Sequence, residues 1–209
     1  MPRMAENPKE WVDGFLFVGN QLALDFLNTN PVLSEGPKEL LPDTHALERW
    51  LLASGVLVSS KAKASVRRWR DTPKAKVFLQ RLIAFRERLR TAIIRQEAGS
   101  SVSEPFITEV NLMLEQYPSR IVLHKKGTKL ERRTVFEPQR PEDVWAPLAA
   151  ATAELLSDVE PSRIRKCESC VVHFRDTSKK GSRRWCSMNI CGNRLKVAAY
   201  QHRNRTARA

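Results

Sequence analysis

Apolar residues in the first 160 positions recur mainly at helical spacing. Residues 11–30 form an apolar entry segment of mixed period: Leu22, Leu24 and Phe26 alternate as in a strand, while Ala23, Phe26 and Leu27 fit one helical face. The pattern predicts a short strand followed by a helix ending near Asn28. Pro31–Pro42 reads as a loop. Asp43 or Thr44 can then cap a helix carrying Leu47, Trp50 and Leu51, which Gly55 stops. After Pro73 comes the longest helical signal, from about Lys74 to Glu97, closed by Gly99. Another helix fits Glu104–Gln116, and Tyr117-Pro118 ends it. Residues 120–124 and 133–136 flank Lys-Lys-Gly-Thr-Lys, which predicts a β-hairpin. Beyond a proline-rich stretch, Glu142–Ser157 reads as a helix rich in Ala and Leu. Pro161 and Ser162 mark the expected domain boundary.

After that boundary the pattern changes. Val171–Asp176 reads as a strand, Thr177–Ser182 as a turn, and Arg183–Cys186 as the returning partner strand; a helical pattern starts at Ser187. The expected fold is therefore α+β. Residues 1–160 make a mainly helical sensing or assembly domain with one hairpin, and 161–209 make a small treble-clef-like finger.

Composition sharpens this division. The 209 residues carry a net charge of +13, of which 161–209 hold +11, with thirteen Lys/Arg against Glu168 and Asp176. Residues 1–160 hold only +2. A tail with nearly all the excess charge implies a polyanionic partner. All four cysteines lie in the same tail, as Cys167-x2-Cys170, fifteen residues, then Cys186-x4-Cys191. Two close pairs joined by a loop supply the four soft tetrahedral ligands that a structural zinc site prefers. His173 is an alternative fourth ligand. No apolar run approaches the ~18 residues a membrane span needs, and the first residues lack a signal-peptide pattern. The expectation is a cytoplasmic protein with reduced thiols and no membrane partner.

The residues after Cys191 place Asn193, Lys196, Tyr200 and Arg203 along one helical face, with Arg194, Gln201 and Arg205 on the adjacent one. Asn, Gln and Arg can contact base edges in pairs of hydrogen bonds, and Lys and Arg engage phosphates. With Lys179, Lys180, Arg183 and Arg184, these are the candidate nucleic-acid contacts, and double-stranded DNA is the expected partner. Asp25, Asn28 and Thr29 are polar groups in an apolar setting; they either pin local backbone or line a pocket for a small-molecule effector. His45, His124, His173 and His202 are scattered, and no catalytic grouping or phosphate-binding glycine loop appears, so an enzyme is not expected. The competing reading is a zinc-stabilised protein–protein or RNA-binding adaptor without promoter specificity.

The string Arg183-Arg-Trp-Cys-Ser-Met-Asn-Ile-Cys-Gly-Asn-Arg194-Leu-Lys196, preceded by Phe174-Arg-Asp176-Thr-Ser178 and by Arg163-Ile-Arg165, resembles the CGNR zinc-finger family. Asn20-Gln-Leu-Ala-Leu-Asp25-Phe-Leu-Asn28-Thr29 is similar to the opening motif of the ABATE domain, which usually precedes that finger. The spacing departs once: two residues separate the first two cysteines, where members often have four. The resemblance implies a bacterial, stress-related transcription regulator.

Overall fold

The computed structural model describes residues 10–33 and 36–193. Contacts divide the chain into two compact units, one made of residues 1–40 with 162–209, the other of 41–161.

The second unit is helical. It contains α2 (Thr44–Ala53), α3 (Ser60–Trp69), α4 (Pro73–Glu97), α5 (Glu104–Gln116) and α6 (Trp145–Ser157). Asp43 caps α2 as expected, its carboxylate accepting from the Ala46 amide at 2.7 Å. Pro73 opens α4 behind the Thr72 cap. The helix α3 has no counterpart among the elements expected from the sequence: its four Lys/Arg and single aromatic leave only a narrow apolar stripe, of which Ala62, Val66 and Trp69 are buried. Trp145 stands at the centre of the core, edge-on to Phe78 and Phe85 with ring centroids 5.2 Å away in each case. Glu48 is buried at the rim, held by Arg70 and by Arg67. Between α5 and α6 lies an antiparallel hairpin, β5 (Arg120–Lys126) and β6 (Lys129–Val135). Its strands run two or more residues further towards the turn than their sequence pattern suggests. Gly127, in the left-handed region at φ +61°, allows the two-residue turn that pairs Lys126 with Lys129.

The first unit is built from short pieces. β1 (Trp11–Val12) and β2 (Phe15–Leu16) form a tight hairpin around Asp13-Gly14, both residues at positive φ. The helix α1 (Leu22–Leu27) follows, capped by the Gln21 side chain and ended at Asn28. The strands β3 (Val32–Leu33) and β4 (Gly36–Pro37) pair within the predicted loop. In the finger, β7 (Ile164–Lys166) pairs with β8 (His173–Arg175). This corrects the expected hairpin between 171–176 and 183–186. The first two cysteines reverse the chain between β7 and β8, so the closest antiparallel neighbour of 173–175 precedes Cys167.

Gly19 permits the tight junction between β2 and α1: a Cβ there would stand 2.8 Å from the Asp25 amide nitrogen and Oδ1. The Gly19 amide donates to that carboxylate at 2.7 Å. Burial pushes Asp25 up to about 7, against the lowering effect of the Gly19 and Val18 amides. The folded state therefore holds the proton more tightly than the unfolded chain, whose Asp titrates near 3.8. Stability of this unit is expected to fall as pH rises from about 4 to 7 and to level off above. Melting temperatures of wild type and Asp25→Asn across pH 5.5–8 check this: the variant should lose the decline. Parallel curves would rule out a half-buried, proton-holding Asp25.

Candidate metal centre

Cys167 and Cys170 sit on the knuckle that joins β7 to β8. The Cys167 amide donates to Val172 O at 2.8 Å, and the Val171 amide donates to Cys167 O at 3.1 Å. Val171 lies at φ 53°, a left-handed conformation that a β-branched residue adopts only when its surroundings impose it. Cys186 precedes Ser187, whose hydroxyl accepts from the Asn189 and Ile190 amides and so starts the short turn Met188–Gly192 that carries Cys191. Thus each pair is positioned by its own local reversal of the chain.

All four cysteines are buried, and one sulfur from each lies within 4.8 Å of the others. The Cys170–Cys186 and Cys186–Cys191 sulfurs stand 3.6 and 3.7 Å apart. A tetrahedron with ~2.3 Å zinc–sulfur bonds has sulfur–sulfur edges of about 3.8 Å, so the cage has the dimensions of the ion. Contact with its three neighbours, Cys170 foremost, drives Cys167 below the ordinary thiol range, while contact with Cys167 pushes Cys170 and Cys186 above it. Four thiols this close resist losing all their protons unless a cation neutralises them, which is the chemistry of a structural zinc site. His173, buried on β8, is not part of the cluster.

The sulfurs belong to a hydrophobic core with Val172, Phe174 and Ile190, and also with Leu16 and Val18 from the N-terminal hairpin region. Trp11 and Trp185 pack against it. Residues 19–28 complete the outer edge of β8. The Arg175 amide donates to Gly19 O at 2.8 Å, and Asn20 Nδ2 donates to Arg175 O at 3.0 Å. Asn28 clamps His173 from both sides: its Nδ2 donates to His173 O at 2.8 Å, and His173 N donates to its Oδ1 at 3.0 Å. Thr29 donates its hydroxyl to Phe26 O. Asp25, Asn28 and Thr29 thus hold backbone, and none of them lines the two described cavities, both within 41–161. The Asp-Gly turn at 13–14 was the signal in the sequence that a structured hairpin leads into them.

Several candidate contact residues are engaged within the finger. The Arg183 guanidinium donates to Cys186 O and lies 5.1 Å above the Phe174 ring. Arg184 grips Glu168 through Nε and Nη2 at 2.6–2.8 Å and covers Trp185. Arg163 and Arg165 donate to Ser178 O and Gly181 O, closing the loop between the cysteine pairs. Asp176 is buried inside it; burial would raise its pKa, but bonds from Ser178 and Arg183 outweigh that and hold it below the usual carboxylate range. Lys179 and Lys180, at the exposed tip, make no ion pair among the described residues, and Asn193 is exposed. Arg194, Lys196, Gln201, Arg203 and Arg205 lie outside the described residues.

The knuckle, the buried sulfur cage and the basic loop define a zinc-finger protein. The family comparisons agree. A model of the ABATE family, described as "Putative stress-induced transcription regulator", matches residues 20–159, and a model of the CGNR zinc finger matches 163–204. The chain belongs to the ABATE family and carries a CGNR zinc finger. No curated protein matches it. The family descriptions are those of a regulator, with no enzymatic activity named, and they divide the chain near residue 160, whereas its contacts join 1–40 to the finger. Among the described residues, no helix is long and apolar enough to cross a membrane.

Purified protein is expected to contain one zinc per chain, with four sulfur ligands near 2.3 Å by X-ray absorption. Chelation should collapse the amide dispersion of Val18, Phe174 and Ile190 while α2–α6 keep their helical signal. A Cys186→Ser protein with unchanged zinc content would contradict the cage. Asn28→Ala strands the buried N–H and C=O of His173 and should cost about 2–4 kcal/mol in unfolding of the finger. Zinc release to a chromophoric chelator along a denaturant titration measures it, and a wild-type midpoint would show the clamp to be dispensable.

Proposed function

We propose that this protein is a DNA-binding transcription regulator whose zinc finger contacts the duplex. One observation carries the reading: the finger segment concentrates +11 of the chain's charge, and its internal ion pairs and caps leave Lys179 and Lys180 on an exposed loop between the two cysteine pairs. Arg163, Arg165 and Arg183 organise that loop, so its two lysines are presented on a rigid support. Asn193 and the basic segment after it, through Arg194, Lys196, Gln201, Arg203 and Arg205, supply the candidate base and phosphate contacts.

Regulation by a small effector is the second part of the proposal. A cavity of about 380 Å³, of the size that holds small ligands, lies within 41–161 and is lined by Tyr117, Arg120, Phe136, Glu137 and Arg140 among others. It is a better candidate for such a site than Asp25, Asn28 and Thr29, whose polar groups hold backbone.

Each phosphate neutralised adds about −0.9 to the slope of log affinity against log salt. With about half of the finger's thirteen cations facing one duplex, the slope attributable to it should be roughly −4 to −6. Lys179→Gln/Lys180→Gln should weaken binding to all sequences and flatten the slope by up to about two units. Asn193→Ala should leave the slope alone and cost about 1–3 kcal/mol on a selected site only. Fluorescence anisotropy with zinc-loaded protein reads all three. Binding that scales equally across every sequence in each variant favours the adaptor over the regulator.

A further inference from the structure

The hairpin of β5 and β6 is exposed along nearly its whole length, although two isolated strands are marginal in water and normally need an apolar face covered. Residues paired directly across an antiparallel ladder project to the same side. Ile121 pairs with Thr134, Leu123 with Arg132, and Lys125 with Leu130, so these six share one face. On it Ile121, Leu123 and Leu130 are 52%, 72% and 68% exposed. The face has no acidic residue, and Lys125 and Arg132 make no ion pair among the described residues. The opposite face carries the hairpin's single acid, Glu131, held between Lys126 and Arg133 at 3.3 Å each. Lys129, at the turn, is also without an ion pair among the described residues.

Residues 120–135 hold six Lys/Arg against Glu131, a net +5, whereas 1–160 as a whole carry +2. The charge is therefore local to the hairpin. Repulsion between two such hairpins disfavours a second copy of the chain as the covering partner, and a polyanion matches it. We infer that this hairpin is a second nucleic-acid contact, a β-ribbon that lays its Ile121/Leu123/Leu130 face into the major groove of duplex DNA. The major groove of B-DNA admits a two-stranded ribbon, and its thymine methyls offer apolar contact, whereas the deep, narrow major groove of RNA helices does not. Seven-residue strands span about 23 Å, roughly two-thirds of a DNA turn. Lys125, Lys129 and Arg132 then reach phosphates on either side of the groove. The inference rests on the nucleic-acid reading above but not on the finger being the contact.

The test compares full-length, zinc-loaded proteins on a labelled random-sequence duplex across a potassium chloride series, with circular dichroism confirming the fold of each variant. Lys125→Gln/Lys129→Gln/Arg132→Gln should flatten the salt slope by about two to three units. Leu123→Ser/Leu130→Ser should weaken binding several-fold with the slope unchanged. Wild-type slope and affinity in both hairpin variants, while Lys179→Gln/Lys180→Gln still weakens binding, would overturn the inference and leave the finger reading standing. The converse pattern supports the ribbon and removes the finger. An effect of the charge variant alone places the ribbon along the phosphates and overturns groove entry. Hairpin-dependent capture by phosphatidylserine vesicles with duplex binding intact assigns the face to a membrane surface instead, and no duplex binding by wild type at low salt defeats both readings.

Discussion

Four thiols within 4.8 Å of one another are the constraint around which the first unit is organised. So small a module, made of two- and three-residue strands, has little apolar surface to bury, and the metal supplies the cross-linking that a larger core would provide. The sulfurs lie inside that core, among Val172, Phe174, Ile190, Leu16 and Val18. Loss of the ion therefore uncovers apolar packing as well as four ligands, which couples metal binding to folding.

The partner that completes this core comes from the opposite end of the chain. β8 has β7 on one edge; on the other, Gly19, Asn20 and Asn28 take up its peptide groups. A three-residue strand with one edge open would leave buried N–H and C=O groups unbonded, at a cost of about 1–3 kcal/mol each. The motif from Asn20 to Thr29 is in this light a fitting for the finger. Its polar side chains occupy backbone positions that a continuous strand would otherwise fill.

Arginine use separates structure from surface. Arg163, Arg165, Arg183 and Arg184 hold carbonyls, rings or Glu168, because the planar guanidinium can donate several bonds at once and still lie flat on an aromatic face. The flexible lysines at 179 and 180, like Lys125 and Lys129 on the hairpin, stay in solvent. Basic composition alone therefore overstates the number of cations open to a polyanion in the finger, while the evenly balanced charge of the first 160 residues conceals the +5 concentrated on the hairpin.

Local chemistry was legible in the sequence. The Cys-x2-Cys and Cys-x4-Cys pairs, the Asp43 cap, Pro73 at the start of α4 and the hairpin turn at Gly127 each depend on residues close in the chain, and their spacing alone specifies them. The ABATE and CGNR motifs identified the family for the same reason. What only the tertiary structure decided is long-range. That Asn28 bonds His173, 145 residues away, leaves no periodic trace, because one amide side chain pairing with one peptide group has no repeat to detect. That Leu16 and Val18 enter the cysteine core was equally hidden, since an apolar residue shows that it will be buried but not against which partner. The choice of β7 over 183–186 as the neighbour of β8 followed from how the knuckle turns the chain, a backbone geometry set by Val171 and its hydrogen bonds rather than by any pattern of side chains.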